Sequence, residues 1–394
     1  MRTTRSLNCG RRPIAPRTLI APAVLATALL ATAAVGLIAG RPVAVLSTAN
    51  QAAIQSRAVA ARTLTKASGW RVVATVGPYN QDVSGKLAAN SAKGAWSVWT
   101  GTRFTAVQRL VGSAWTRVSL PAKLVGYVRS AVAFDGDSAA DFWLFSSYRT
   151  NRALRFTGSK WVLQPIPSWV LQHTGGGGEL SDVTTTVFGP GNVWVFGDAD
   201  AYAAHYNGHA WAKVKLPAVP DEVSAVSPDD IWALAGKGGN VAWHWNGKKW
   251  TATKIPNAAG NQPQSFGNLV ATGSKSAWVW RTILYPGPHT DADVLYWNGT
   301  SWRRVAGTPA DIIDSVTPDG AGGLWASGVD LNPGGFNLFY HLTSGHWTEV
   351  DPPSGMWDQA AESLTWVPGT RSLWGTASGI SNKGNYGVLL KYGL

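Results

Sequence analysis

Two groups of residues in this sequence are of types that could do chemistry. The first lies in irregular stretches between short apolar runs: Tyr148, Arg149, Trp169, His173, Glu179, Tyr285, His289, Asp291, Trp357 and Asp358. Aromatic rings beside carboxylates suit stacking on sugar faces with hydrogen bonds to hydroxyls, or the anchoring of a protein partner. The second group, Asp182, Glu222, Asp314 and Glu362, stands on or beside the starts of apolar runs. Two such carboxyls could act as acid and base on a glycosidic bond if they stood about 5–5.5 Å apart (retention) or about 6.5–9.5 Å apart (inversion).

Other chemistries find little support. No Ser-His-Asp or nucleophile-elbow pattern occurs, and Gly175–Gly178 lacks the Lys-Ser/Thr pair of a phosphate loop. Asp135-Gly136-Asp137-Ser138 with Asp141 resembles part of a calcium loop but lacks the remaining ligands and the closing Glu. His205, His244 and His341 recur at equivalent places in a repeat, and such positions diverge in space rather than share a tetrahedral ion. No metal site and no cofactor is expected. Cys9 is the only cysteine, so no disulfide framework exists.

The net charge of +12 is a property of the N-terminal region. Residues 1–66 hold nine Lys/Arg and no Asp or Glu, which leaves 25 basic against 22 acidic residues in the rest. That balance excludes nucleic acid as the expected partner. Residues 18–40 are uncharged and apolar behind a basic segment, and read either as a cleaved signal peptide or as an uncleaved anchor helix. Both place the following chain outside the cytoplasm, secreted or anchored by residues 18–40. The expected organisation is a signal or anchor helix over 1–40, an Ala-rich stalk over 41–66, and one repeat domain over 67–394.

The repeat positions both groups of residues. A Trp in an apolar run recurs at Trp96, Trp143, Trp194, Trp232, Trp278, Trp325 and Trp374, a mean spacing of about 46 residues, which is a blade-type period. A second series, Trp115, Trp161, Trp211, Trp250, Trp302 and Trp347, opens the last strand of each unit, and these tryptophans are expected to pack between neighbours. Each unit reads as four short antiparallel strands. Asn-Gly pairs such as Asn246-Gly247 mark hairpins because both residues tolerate φ > 0. The second series has six members against seven, and Trp70 supplies the fourth-strand pattern with no unit before it. The predicted fold is all-β: a seven-bladed propeller of four-stranded antiparallel blades, preceded by an apolar N-terminal helix. An N-terminal strand over 69–76 pairs with 386–392 in the last blade and closes the ring.

The turns Tyr206-Asn207-Gly208-His209-Ala210-Trp211 and Trp297-Asn298-Gly299-Thr300-Ser301-Trp302 resemble those of secreted bacterial β-propellers, and more distantly kelch and galactose-oxidase propellers. The likeness covers about residues 69–394. The double-Gly strand end of kelch is absent, and the domain has no Cys for a galactose-oxidase cofactor. The resemblance therefore implies a fold and no activity.

Connections after third strands are short, whereas those after fourth and second strands are long, and in a four-stranded meander the long classes share one face. Loops on a rigid scaffold are where binding residues concentrate. The first group of residues is therefore expected on this face, and the second near the mouth of the axial channel. The function expected is a non-catalytic, monomeric propeller outside the cytoplasm that binds a glycan or an envelope protein, with membrane contact only through the N-terminal helix. The alternative is a carbohydrate-active enzyme, a glycosidase or lyase, using the channel-mouth carboxylates.

Overall fold

The structure, a computed structural model, describes residues 69–79, 83–101, 104–147, 151–173, 183–197, 200–235, 240–285, 290–310, 312–330, 336–353, 361–381 and 384–393. Residues 18–40 and the stalk lie outside this set. Among the described residues no helix is long and apolar enough to cross a membrane.

The described chain forms seven four-stranded antiparallel sheets, each in meander order. We number the blades from the N terminus and the strands of each blade outward from the axis. The first strands are Val83–Ser91, Ala131–Ser138, Thr184–Val187, Pro220–Ser227, Gln264–Gly273, Ile312–Pro318 and Ala361–Trp366. Blade 7 takes its fourth strand from the other end of the chain. Trp70–Tyr79 pairs with Gly384–Tyr392, starting with Trp70 opposite Tyr392. The missing member of the second tryptophan series thus stands at Trp70, 2% exposed, stacked 4.6 Å from Phe339 and edge-on to Trp325 of blade 6.

The Trp of every second strand is buried and packs toward the following blade. Trp143 meets Trp211, Trp232 meets Trp302, and Trp374 meets Trp115, each edge to face at 5.3–6.3 Å. Such T-shaped pairs add to the large apolar burial of each ring. Fourth-strand tryptophans also tie blades through their indole N–H. Trp161 donates to the Ser119 carbonyl at 2.7 Å and Trp347 to that of Gly307 at 2.8 Å.

Each second-strand Trp stands opposite a third-strand residue in register: Arg109, Arg155, His205, His244, Tyr296, His341 and Lys391 in blades 1 to 7. The three histidines lie flat on their own blade's Trp at 4.3–4.4 Å and share hydrogen bonds with Asn192, Asp230 and Asp319 at 2.8–3.0 Å. Their role is to hold the blade. Burial lowers His205.

The Asn-Gly hairpins differ from expectation in one respect. Gly208, Gly247 and Gly299 have φ of +93°, +83° and +92°, but the preceding Asn stays out of the left-handed region. Instead the Asn side-chain oxygen accepts two amides across a four-residue loop, as Asn246 does from Lys248 and Lys249. Asn is used there as an acceptor that mimics backbone.

Candidate functional site

The connections sort onto two faces as the meander requires. Short turns, such as residues 228–229 and 246–249, line one face. The other carries the helices Val125–Arg129 and Ser168–His173 and the longer connections. The first of these helices gave no sequence signal of its own. It is five residues long, without an acidic first turn or a capping side chain.

Trp169 sits on the Ser168–His173 helix, half-buried against the core between blades 2 and 3. The Lys213 ammonium lies 5.1 Å from its ring and 5.9 Å from that of Tyr202. The ring thus folds onto the outer part of blade 3 rather than standing free. Tyr285 and Asp291 come together on blade 5. Desolvation, and then the Asp291 carboxylate that the phenol hydrogen-bonds, push Tyr285 upward. Beside them Asp293 is held by Arg281 and Arg304. Burial alone would raise its carboxyl, and the two guanidinium groups bring it below the ordinary range. His173 ends its helix, and its side chain lies outside the described set. Tyr148, Arg149, Glu179, Asp182, His289, Trp357 and Asp358 are likewise outside it. The described members of the group therefore form two clusters, on blades 2–3 and on blade 5.

The channel carboxylates turn out to share a local device. Glu222, Asp314 and Glu362 all fall at β-bulges of first strands, between Pro220 and Val223, Ile313 and Ser315, and Ala361 and Ser363. A bulge adds a residue and re-aims its side chain. Two of the three turn sideways to the next blade. Glu222 accepts the Leu269 amide and Glu362 the Gly85 amide, each at 2.7 Å, and Glu362 also accepts the Ser378 hydroxyl. Burial pushes Glu222 up, against the opposing effect of the Leu269 and Asn268 amides. Asp314 keeps contact with solvent, while the surrounding protein raises its carboxyl as well.

These bonds belong to a wider pattern. Ser224 accepts the Ala271 amide, Ser315 that of Leu364, Thr317 that of Trp366, and Ser363 that of Leu87, all at 2.8–3.2 Å. Asp135 does the same for Val187 at 2.8 Å while also accepting the Gly136 amide at 2.7 Å. Its burial pushes it up to about 7 although both amides oppose the shift. The Asp135–Asp141 stretch is therefore a blade-to-blade joint, and Asp141 pairs with Arg155 at 3.4 Å, whose guanidinium covers Trp143. Among the described residues no group of three or more His, Cys, Asp or Glu could hold a metal ion.

A cavity of about 380 Å³ opens where the first strands of blades 7, 1, 2 and 3 begin, on the long-connection side. Hydroxyls of Ser84, Thr100 and Thr184 and the cations Lys86 and Arg129 line it, with Glu362 on its wall. Of these only Glu362 was singled out from sequence. Lys86 and Arg129 are exposed and make no ion pair among the described residues.

Among solved structures the chain is similar to YCF48 bound to D1 peptide, with a TM-score of 0.53 and 12% identity over 84% of this chain and 98% of that one. It is also similar to the GH74 xyloglucanase from Xanthomonas campestris, with a TM-score of 0.51 and 14% identity over 80% of this chain and 55% of that one. The shared feature is the propeller fold. At these identities nothing more is carried over. No protein-family model and no curated protein matches the sequence.

Proposed function

We propose that this protein is a non-catalytic β-propeller working outside the cytoplasm, where its long-connection face holds a glycan or protein partner at the cell envelope. The observation that carries the reading is the state of the channel carboxylates. Glu222 and Glu362 are already hydrogen-bonded to neighbouring blades, which suits joints in a scaffold better than a pair of proton-transfer groups. The cavity at the channel mouth and the Tyr285–Asp291 cluster lie on the same side as the long connections. In this reading residues 18–40 carry the chain to or across the membrane, and the propeller acts as a monomer.

The test is capture by the full chain of glycans on an array and of components from an isolated envelope fraction. Tyr285→Ala and Trp169→Ala change the long-connection face, and Lys248→Ala on a short turn is the control. Capture should fall in the first two, with melting temperatures checked, and persist in the third. Capture lost only in Lys248→Ala would place the binding face on the other side. Steady release of new reducing ends from a bound glycan would replace the binding reading with a hydrolytic one.

A further inference from the structure

Among the described residues one kind of blade-to-blade joint is made from blades 4, 6 and 7 and not from the other four, and two of the missing joints, those from blades 1 and 2, open on the cavity. Counting from the first-strand residue opposite each repeat Trp, the position two residues earlier is Glu222 in blade 4, Ser315 in blade 6 and Ser363 in blade 7. Each accepts an amide from the next blade, at Leu269, Leu364 and Leu87. In blades 1 and 2 the same position holds Lys86 and Ala133, opposite Trp96 and Trp143 by the same count. Lysine has donors only and alanine has neither donor nor acceptor. The amides that would have been received are those of Phe134 and Thr185, and no side-chain acceptor among the described residues meets them. Phe134 stands opposite Leu144 and Thr185 opposite Val195, the register of Leu87 opposite Ser97, so their amides have the same heading as the Leu87 amide.

All four of Lys86, Ala133, Phe134 and Thr185 line the cavity, together with Arg129. Among the described residues the site thus gathers two unpaired cations and two cavity-facing backbone donors without a side-chain acceptor. The one carboxylate on its wall among the described residues, Glu362, is already held by Gly85 and Ser378. Backbone donors that face a cavity are satisfied best by an ionised acceptor. We propose that this cavity binds a carboxylate presented by an acidic peptide segment of a partner protein. A peptide fits better than a sugar here because the described lining offers no exposed aromatic platform. Its one ring, Phe134, is half-buried and packed on the core cluster around Phe142. Main-chain donors on neighbouring strands suit an extended chain. This assignment rests on the reading of the long-connection face as the binding face.

The probe is a synthetic octapeptide of alternating Glu and Ala, titrated into the full chain, against its Gln counterpart with an amidated end. The Glu peptide should bind and weaken with added salt, while the Gln peptide should not bind. Lys86→Ala and Arg129→Ala should each weaken binding by about tenfold or more, the range for a hydrogen bond to a charged group. Ala133→Ser keeps both cations but supplies the hydroxyl that Ser315 and Ser363 supply elsewhere. It should claim the Thr185 amide and weaken binding without lowering the melting temperature. No binding of the Glu peptide, or binding unchanged by all three substitutions, would overturn the assignment. An oligouronate binding in place of the peptide, with the same sensitivity to Lys86→Ala, would overturn the peptide class. If the peptide fails while envelope capture still depends on Tyr285, only the present assignment falls.

Discussion

Replacing Trp70 by Ala tests how the last sheet is held. The ring is 2% exposed, stacks on Phe339 at 4.6 Å with an interplanar angle of 16°, and meets Trp325 edge-on at 5.5 Å and Tyr392 at 5.4 Å. It therefore joins the N-terminal strand to blade 6 as well as to its own sheet. Truncating a buried Trp costs about 3–5 kcal/mol, because the transfer energy is lost and the cavity collapses only in part. At about 2–4 °C per kcal/mol for domains of 150–250 residues, the lower end applies to this larger ring and the melting temperature should drop by roughly 6–10 °C. Val73→Ala on the same strand is the control, since Val73 is 40% exposed. Thermal melting followed by near-ultraviolet circular dichroism reads both the loss and the tryptophan packing. If Trp70→Ala melts within about 2 °C of Val73→Ala, within the usual scatter for surface changes, the strand is not holding blade 7 and the reasoning fails.

Other expectations follow from particular joints. Burial alone would raise Asp319, but the hydrogen bonds from His341 and from the Ala321 and Gly323 amides hold it below the ordinary range. Its stabilisation is therefore present above an unfolded value of about 3.9 and is lost as pH falls below it, so His341→Ala should move the acid-unfolding midpoint to higher pH. Asp135, raised to about 7, behaves in the opposite sense. Its contribution is full below about 4 and is lost as pH rises through 7, and Asp135→Asn should narrow the stability difference between pH 5 and pH 8 in denaturant titrations. Glu362→Ala leaves the Gly85 amide without its acceptor and should cost about 1–3 kcal/mol in the same titrations. Gly136→Ala would drive a Cβ into the Trp96 ring, whose N–H is fixed on Ser138, and should destabilise by about 1–3 kcal/mol or more by overpacking.

The blades were legible from sequence because their signals are local and repeated. The Trp of each second strand recurs seven times, and the turn before a fourth-strand Trp recurs six times. The histidines were legible as blade residues for the same reason, since His205, His244 and His341 hold one register position. The site was legible only in part. Sequence placed Glu222, Asp314 and Glu362 on first strands but not their direction, because a strand alternates with period two and one bulged residue changes the face of its neighbours. All three lie at bulges, and no residue type marks a bulge reliably. Lys86 and Arg129 gave no signal either. Each is an ordinary exposed cation, and its significance comes from an absent acceptor in one blade and a short helix over the next. Trp169 was recognised as lying outside both repeat series, but the Lys213 contact that draws it onto blade 3 spans 44 positions of sequence and leaves no local trace.

The pairing of Trp70 with Tyr392 also sets a timetable for biosynthesis. The strand that begins the described chain has its hydrogen-bonding edge matched by a strand made only after the other six blades. Six blades can assemble from contacts between close neighbours while translation continues. The seventh waits for Gly384–Tyr392 to clear the ribosome, and until then the Trp70 strand and the growing end of blade 6 each expose apolar surface. Newly made chains should thus be most vulnerable to proteases and to one another in the interval before these two strands pair.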